Sequence, residues 1–156
     1  MNRLLLTLTI TATVGIMLSS HPVSAQVLPP MKKAESVKIT KGPQLEVAMD
    51  HLTIIRWTTN NPGGSDVHYG VVHYGTDPKD LSQTAKSPIR LNRNPSTIFR
   101  VRMTGLKPRT TYYYRFTSEE SNGKSDGVKS TVNKFTTPSP GERIVGYPSQ
   151  PVPRPR

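Results

Sequence analysis

The chain has 156 residues, with 21 lysines and arginines against 10 acidic side chains, a formal net charge of +11. It has no cysteine, which excludes disulfide staples, a cysteine-linked lipid anchor and zinc sites built on thiolates. The basic excess suits anionic partners such as phosphate-rich polymers, acidic glycans or lipid headgroups. No lysine or arginine run exceeds two, so an ordinary solvated basic surface accounts for it equally.

Arg3 gives a short positive start, and Leu4 to Leu18 is apolar apart from threonines and one glycine. Ser19-Ser20-His21-Pro22 breaks the run, and Val23-Ser24-Ala25 offers a peptidase site, so residues 1–25 read as a secretory signal cleaved before Gln26. The apolar run falls short of the ~20 residues that span a bilayer, so the expected product is periplasmic or extracellular, without a transmembrane anchor. Its 131 residues suffice for one domain.

Residues 26–35 read as a leader stiffened by Pro29-Pro30. A first strand is predicted at Val37–Thr40, broken at Gly42-Pro43 and resumed by Leu45-Glu46-Val47. His51–Thr59 is the second strand, with Ile55 and Trp57 inward and Ile54, Arg56 and Thr58 outward. Asn60 to Gly64 is a turn. The third strand covers Ser65–Thr76 and holds Val-His-Tyr-Gly twice; the odd offset puts matching residues on opposite faces. Leu81–Arg93, with its Ser87-Pro88 break, predicts a short edge strand and loop.

Residues 98–116 alternate most strictly. Phe99, Val101 and Met103 share one face and Arg100 and Arg102 the other. After a Gly105–Thr110 corner, Tyr112, Tyr114 and Phe116 share a face, opposite Tyr113 and Arg115; the pair reads as a hairpin. Residues 119–127 predict a polar hairpin loop, and Val128–Thr137 the last strand, anchored by Phe135. Residues 139–156 hold a proline-rich basic tail, expected to be extended and unpacked. The whole predicts an all-β, seven-stranded antiparallel immunoglobulin-like sandwich over 36–138. Its expected core is Ile55, Trp57, Phe99, Val101, Leu106, Tyr112, Tyr114 and Phe135.

Trp57, Tyr74 and the Leu106-x-Pro108-x-Thr110-x-Tyr112 corner make the chain resemble a fibronectin type III domain, whose corner tyrosine bonds back to nearby backbone. Gly42-Pro43-Gln44-Leu45, Ile55-Arg56-Trp57-Thr58-Thr59, His73-Tyr74-Gly75, Gly105 to Arg115 and Phe135-Thr136-Thr137-Pro138 resemble, more narrowly, the amino-terminal domain of purple acid phosphatases. That resemblance implies a β-sandwich placed ahead of a separate dimetal phosphatase domain. The metal-binding stretches of that second domain (GDxxY, GNHE or GNHD, GHxH) are missing from this sequence, so neither its activity nor its metals are expected here.

Asp66-Val67-His68 has the DxH spacing that lets two side chains at a strand end share a metal, but a dimetal centre needs several more ligands and no second cluster accompanies it. His51, His68 and His73 lack zinc-site spacing and read as exposed strand histidines. No nucleophile elbow or phosphate-cradling loop occurs. Of the tyrosine run, alternation leaves only Tyr113 free to stack on a sugar. Catalytic residues, metals and cofactors are therefore expected to be none. The surface constellation of interest is an anion-binding stripe of Lys38, Arg56, Arg100 and Arg102, with Ile54 and Ile98 beside it.

The leading expectation is an exported, non-catalytic interaction or spacer module. One alternative is the accessory half of a purple acid phosphatase working with a separate metallophosphatase chain. Another is a basic binder of anionic envelope polymer. The partner is thus an unknown protein or such a polymer, with no specific nucleic acid expected.

Overall fold

The computed structural model describes residues 29–148 and 150–152; the expected signal at 1–25 and its cleavage site lie outside the described residues. Strand propensity and alternation resolve into β1 (Ile39–Met49), β2 (Leu52–Asn60), β3 (Val67–Gly75), β4 (Gln83–Arg90) and β5 (Ser96–Thr104). These are followed by β6 (Thr111–Glu120), β7 (Ser125–Lys129), β8 (Asn133–Thr136), β9 (Arg143–Pro148) and β10 (Gln150–Pro151). They form two antiparallel sheets, a β-sandwich. One runs in the order β5-β2-β1-β9 and the other β10-β8-β6-β3-β4, with β7 also paired to β6. No helix among the described residues is long and apolar enough to cross a membrane.

The all-β sandwich stands, with more strands than seven. The predicted last strand is two. β7 and β8 pair successive stretches of β6, and the break falls at Ser130. There the Phe116 N–H donates to Ser130 Oγ at 2.9 Å while Ser130 N–H donates to Phe116 O at 3.0 Å, so a side chain replaces one rung of the ladder. Strand pairing also reaches Glu120 and resumes at Ser125, which shortens the loop expected at 119–127.

The supposed hairpin of 98–116 is a crossover between sheets. β5 pairs β2 in one sheet, whereas β6 pairs β3 in the other. Alternation reports which face of a strand is buried and is silent on which strand lies beside it. The corner between them is held by Tyr112, whose phenol oxygen accepts the Lys107 N–H at 3.0 Å.

Both flanks expected to lie off the domain are paired to it. Ala34 N–H donates to Pro62 O at 2.8 Å and Gly64 N–H to Met31 O at 3.0 Å, which ties residues 31–34 to the loop after β2. The tail is a strap: β9 lies along β1, and β10 along β8. Its prolines were the reason to expect no pairing. Both paired prolines, Pro148 and Pro151, stand on edge strands, where a missing N–H can face away from the sheet without breaking a ladder.

The core is centred on Trp57, which is 1% exposed. Its ring stacks on Phe99, its cross-strand neighbour, at 5.2 Å and on Phe116 from the opposite sheet at 4.3 Å. Ile55, Phe99, Val101, Leu106, Tyr112, Tyr114 and Phe135 are buried with it. Tyr112 and Phe135 stack at 5.7 Å in a second aromatic layer. Two glycines make room. Gly42 has φ +91°, and a Cβ there would meet Arg56 O at 3.0 Å. A Cβ at Gly70 would sit 2.8 Å from both Trp57 Cη2 and Val101 Cγ2.

Overpacking a filled core costs about 1–3 kcal/mol. Gly70→Ala is therefore expected to lower the unfolding free energy by roughly that amount in urea titration. An unchanged midpoint would mean that the Trp57 ring is not held against β3.

Candidate interaction surface and a buried polar cluster

β1, β2 and β5 share one sheet, so the alternation that buries Ile55, Trp57, Phe99 and Val101 places Ile54, Arg56, Ile98, Arg100 and Arg102 on its outer face. Arg56 and Arg100 are direct cross-strand partners, and Arg102 lies opposite Ile54. Lys38 is exposed but precedes β1, so it flanks the face rather than joining it. The stripe is also partly neutralised by a residue that spacing did not single out. Glu46 on β1 takes a forked contact from Arg100, with Nε to Oε2 at 2.7 Å and Nη2 to Oε1. That carboxylate holds the guanidinium above its usual range, chiefly through the hydrogen bond. A pair this exposed adds little stability, about 0–1 kcal/mol, but it fixes the direction of Arg100.

The same face carries an apolar row. Val145, Val47 and Ile54 are successive neighbours across β9, β1 and β2, with Arg102 next on β5. Val145 is 64% exposed and Ile98, two positions along β5 from Arg100, is 40% exposed. The outer face of the six-stranded sheet differs. Lys86 pairs with Glu119 and lies 4.2 Å over the Tyr69 ring. Burial and the neighbouring Arg115 guanidinium hold His73 below the usual imidazole range. Tyr113, raised as a sugar platform, is half-buried on that sheet.

The expectation for His68 needs correcting, while His51 is exposed as expected. His68 is fully buried on β3, not exposed. Its Nδ1 lies 2.9 Å from Asp126 Oδ2 on β7 and its Nε2 3.1 Å from Gly63 O. Its partner is Asp126, while Asp66 of the DxH motif is exposed. His51 sits in the β1–β2 turn, 2.5 Å from Asp50 Oδ1. Among the described residues, no group of three or more His, Cys, Asp or Glu side chains could hold a metal ion. The cluster continues through Glu120, the cross-strand partner of His68, which pairs with Lys33 and accepts from Ser65 Oγ at 3.0 Å. It therefore joins the leader, the β2–β3 loop and the β6–β7 hairpin at one end of the sandwich.

Fold and corner together define a fibronectin type III-like sandwich module. Residues 41–137 match the family described as purple acid phosphatase, N-terminal domain, and the chain belongs to that family. The match is to the non-catalytic domain, and it does not extend over the strap. No curated protein matches the chain. Among solved structures, the chain is similar to the sensor domain of the anti-sigma factor RsgI4 in Pseudobacteroides cellulosolvens. Identity is 19% and the TM-score 0.46, covering 68% of this chain and 93% of that one. A solution structure of that sensor domain gives a TM-score of 0.45 at 19% identity, covering 67% and 75% respectively. A redesigned β-sandwich protein is similar at 20% identity and a TM-score of 0.29, with 74% and 95% covered.

Two outcomes test the cluster. His68→Leu leaves the Asp126 carboxylate buried without its partner, and a loss of about 1–3 kcal/mol is expected in chemical denaturation. Glu120 behaves differently. Lys33 and Ser65 hold its carboxyl below the usual range. A depressed folded-state value contributes stability above the unfolded carboxylate pKa and loses it as pH falls through the folded value. The Ala34 and Gly64 amide resonances are therefore expected to shift during acid titration below the ordinary carboxylate range, and not to do so in Glu120→Gln.

Proposed function

We propose that this chain is an exported, non-catalytic interaction module, and that the outer face of the β5-β2-β1-β9 sheet is its working surface. The observation that carries the reading is where the exposed apolar side chains fall: among the described residues the exposed large hydrophobics, Ile39, Ile98, Ile144 and Val145, all stand on strands of that sheet. The outer face of the six-stranded sheet carries Lys86, Lys129 and Lys134, of which Lys86 pairs with Glu119 and lies over the Tyr69 ring. The outer face of the four-stranded sheet sets Val47, Ile54, Ile98 and Val145 beside Arg56 and Arg102, which have no ion pair among the described residues. Apolar centres with arginine at the margin are the chemistry of protein interfaces. The complementary partner is a protein surface with an apolar centre and acidic rim.

Family membership favours a second reading of the same surface, in which the partner is a metallophosphatase catalytic domain. Anionic envelope polymer is a third, supported by the net charge of +11 and weakened by Glu46, which already occupies Arg100.

The purified chain supplied with iron and zinc is expected to release no phosphate from a phosphomonoester. Ile54→Glu with Val145→Glu is expected to weaken binding to a co-expressed metallophosphatase domain at least tenfold, since hot-spot side chains are worth about 2 kcal/mol or more. Circular dichroism should remain that of the parent. Arg100→Glu with Arg102→Glu separates the polymer reading: unchanged retention on heparin would remove it.

A further inference from the structure

The outward positions of the six-stranded sheet form a second surface, of different chemistry. On β6 burial alternates without a break, so Tyr113, Arg115 and Thr117 face out between buried Tyr112, Tyr114, Phe116 and Ser118. Two neighbours stand on one side of β6: Lys134 of β8 lies opposite Tyr113, and Lys129 of β7 opposite Thr117. Lys134, Arg115 and Lys129 therefore follow one line from Tyr113 to Thr117, about 13 Å at the rise of a strand. On the other side Lys86 of β4 is reached through Val71, the second partner of Thr117.

Little on this face answers those cations. Among the described residues Glu119 is the one acid at the outward positions of these strands, and Lys86 pairs with it. Asp77 and Asp80 stand in the turn after β3, off these rows. Arg115, Lys129 and Lys134 have no ion pair among the described residues. Hydroxyls stand between the cations: Thr117 separates Lys129 from Val71, and Thr111 and Thr136 lie 2.9 Å apart beyond Tyr113 and Lys134. Two other anionic partners fit this face poorly. Insertion into a lipid surface needs exposed apolar side chains, and the exposed large hydrophobics among the described residues all stand on strands of the other sheet. Single-stranded nucleic acid stacks its bases on open aromatic rings, but Tyr69 is covered by Lys86 at 4.2 Å and Tyr113 is half-buried.

We propose that the outer face of the six-stranded sheet binds an acidic polysaccharide, its carboxylate or sulfate groups at Lys134, Arg115 and Lys129 and its hydroxyls at the interleaved threonines. Arginine offers such an anion a forked contact, and the lysines supply point charges. The net charge of +11 adds long-range attraction. This face is opposite the one proposed above for docking a protein, so either proposal can fail alone.

The test is an amide NMR titration of the full chain from Gln26 with two hexasaccharides, one derived from heparin and one of galacturonate, which separate sulfate from carboxylate as the anion. With at least one of them, saturable shifts are expected at Arg115, Thr117, Lys129 and Lys134 and not at Ile98 or Arg100, and binding is expected to weaken as salt is raised. Lys129→Glu with Lys134→Glu is expected to weaken binding at least tenfold, since like charges across a contact oppose it. Lys129→Gln with Lys134→Gln only removes the charges and is expected to do the same in part, should the glutamate variant not fold. Arg100→Glu with Arg102→Glu is expected to leave the affinity unchanged. No saturable shift with either sugar, shifts centred on the four-stranded sheet, tighter binding of oligo-dT or of phosphatidylglycerol vesicles, or affinity indifferent to both pairs of lysine substitutions in folded protein would overturn the proposal.

Discussion

The rest of the molecule depends on one indole. Trp57 stands on the four-stranded sheet, yet it is clasped by Phe99 from its own sheet and Phe116 from the other. Stacked aromatic pairs contribute about 0.5–1.5 kcal/mol beyond the area they bury, so this triple contact does more than fill space. It fixes the register between the layers. Gly70 is the counterpart on β3: the indole rim lies where any side chain would stand. With no disulfide available, that interlock and the Tyr112 corner are what hold two sheets of unlike width together.

Everything on the outer faces follows from that register. Because Ile55, Trp57 and Phe99 point inward, the intervening residues must point outward, and the register places the arginines of β2 and β5 side by side. Like charges directly opposite each other cost stability on a sheet. Glu46 relieves the cost at Arg100 by reaching across β2. It is placed to do so by the irregular register of β1 between Leu45 and Val47, which lets both of those residues pair with consecutive positions of β2.

Sequence patterning made the inner faces legible because burial imposes a period of two, and residues 96–104 and 111–120 keep that period without interruption. It failed where the deciding partner is remote. Asp126 is 58 positions from His68, and nothing local distinguishes a buried histidine from an exposed one. Arg100 and Glu46 are separated by 54 positions. The strap failed for a different reason. Proline content argues against a central strand, but an edge strand needs only half of its backbone groups, and residues 143–148 have β1 on one side alone.

The strap and the leader also explain why so few of this domain's ends are open. An unpaired edge is a template for association with other chains. The leader closes on the β2–β3 loop at one end, and the strap pairs with both sheets along one side, adding a strand to each. On the opposite side β4 carries Pro88 within its edge and β5 the arginines, both ordinary deterrents to strand addition. The strap's own free edges end in proline, Pro148 on β9 and Pro151 on β10, so each open edge carries at least one such deterrent. Among the described residues the exposed large hydrophobics, Ile39, Ile98, Ile144 and Val145, all stand on strands of the four-stranded sheet, so its side chains rather than its backbone present the apolar surface.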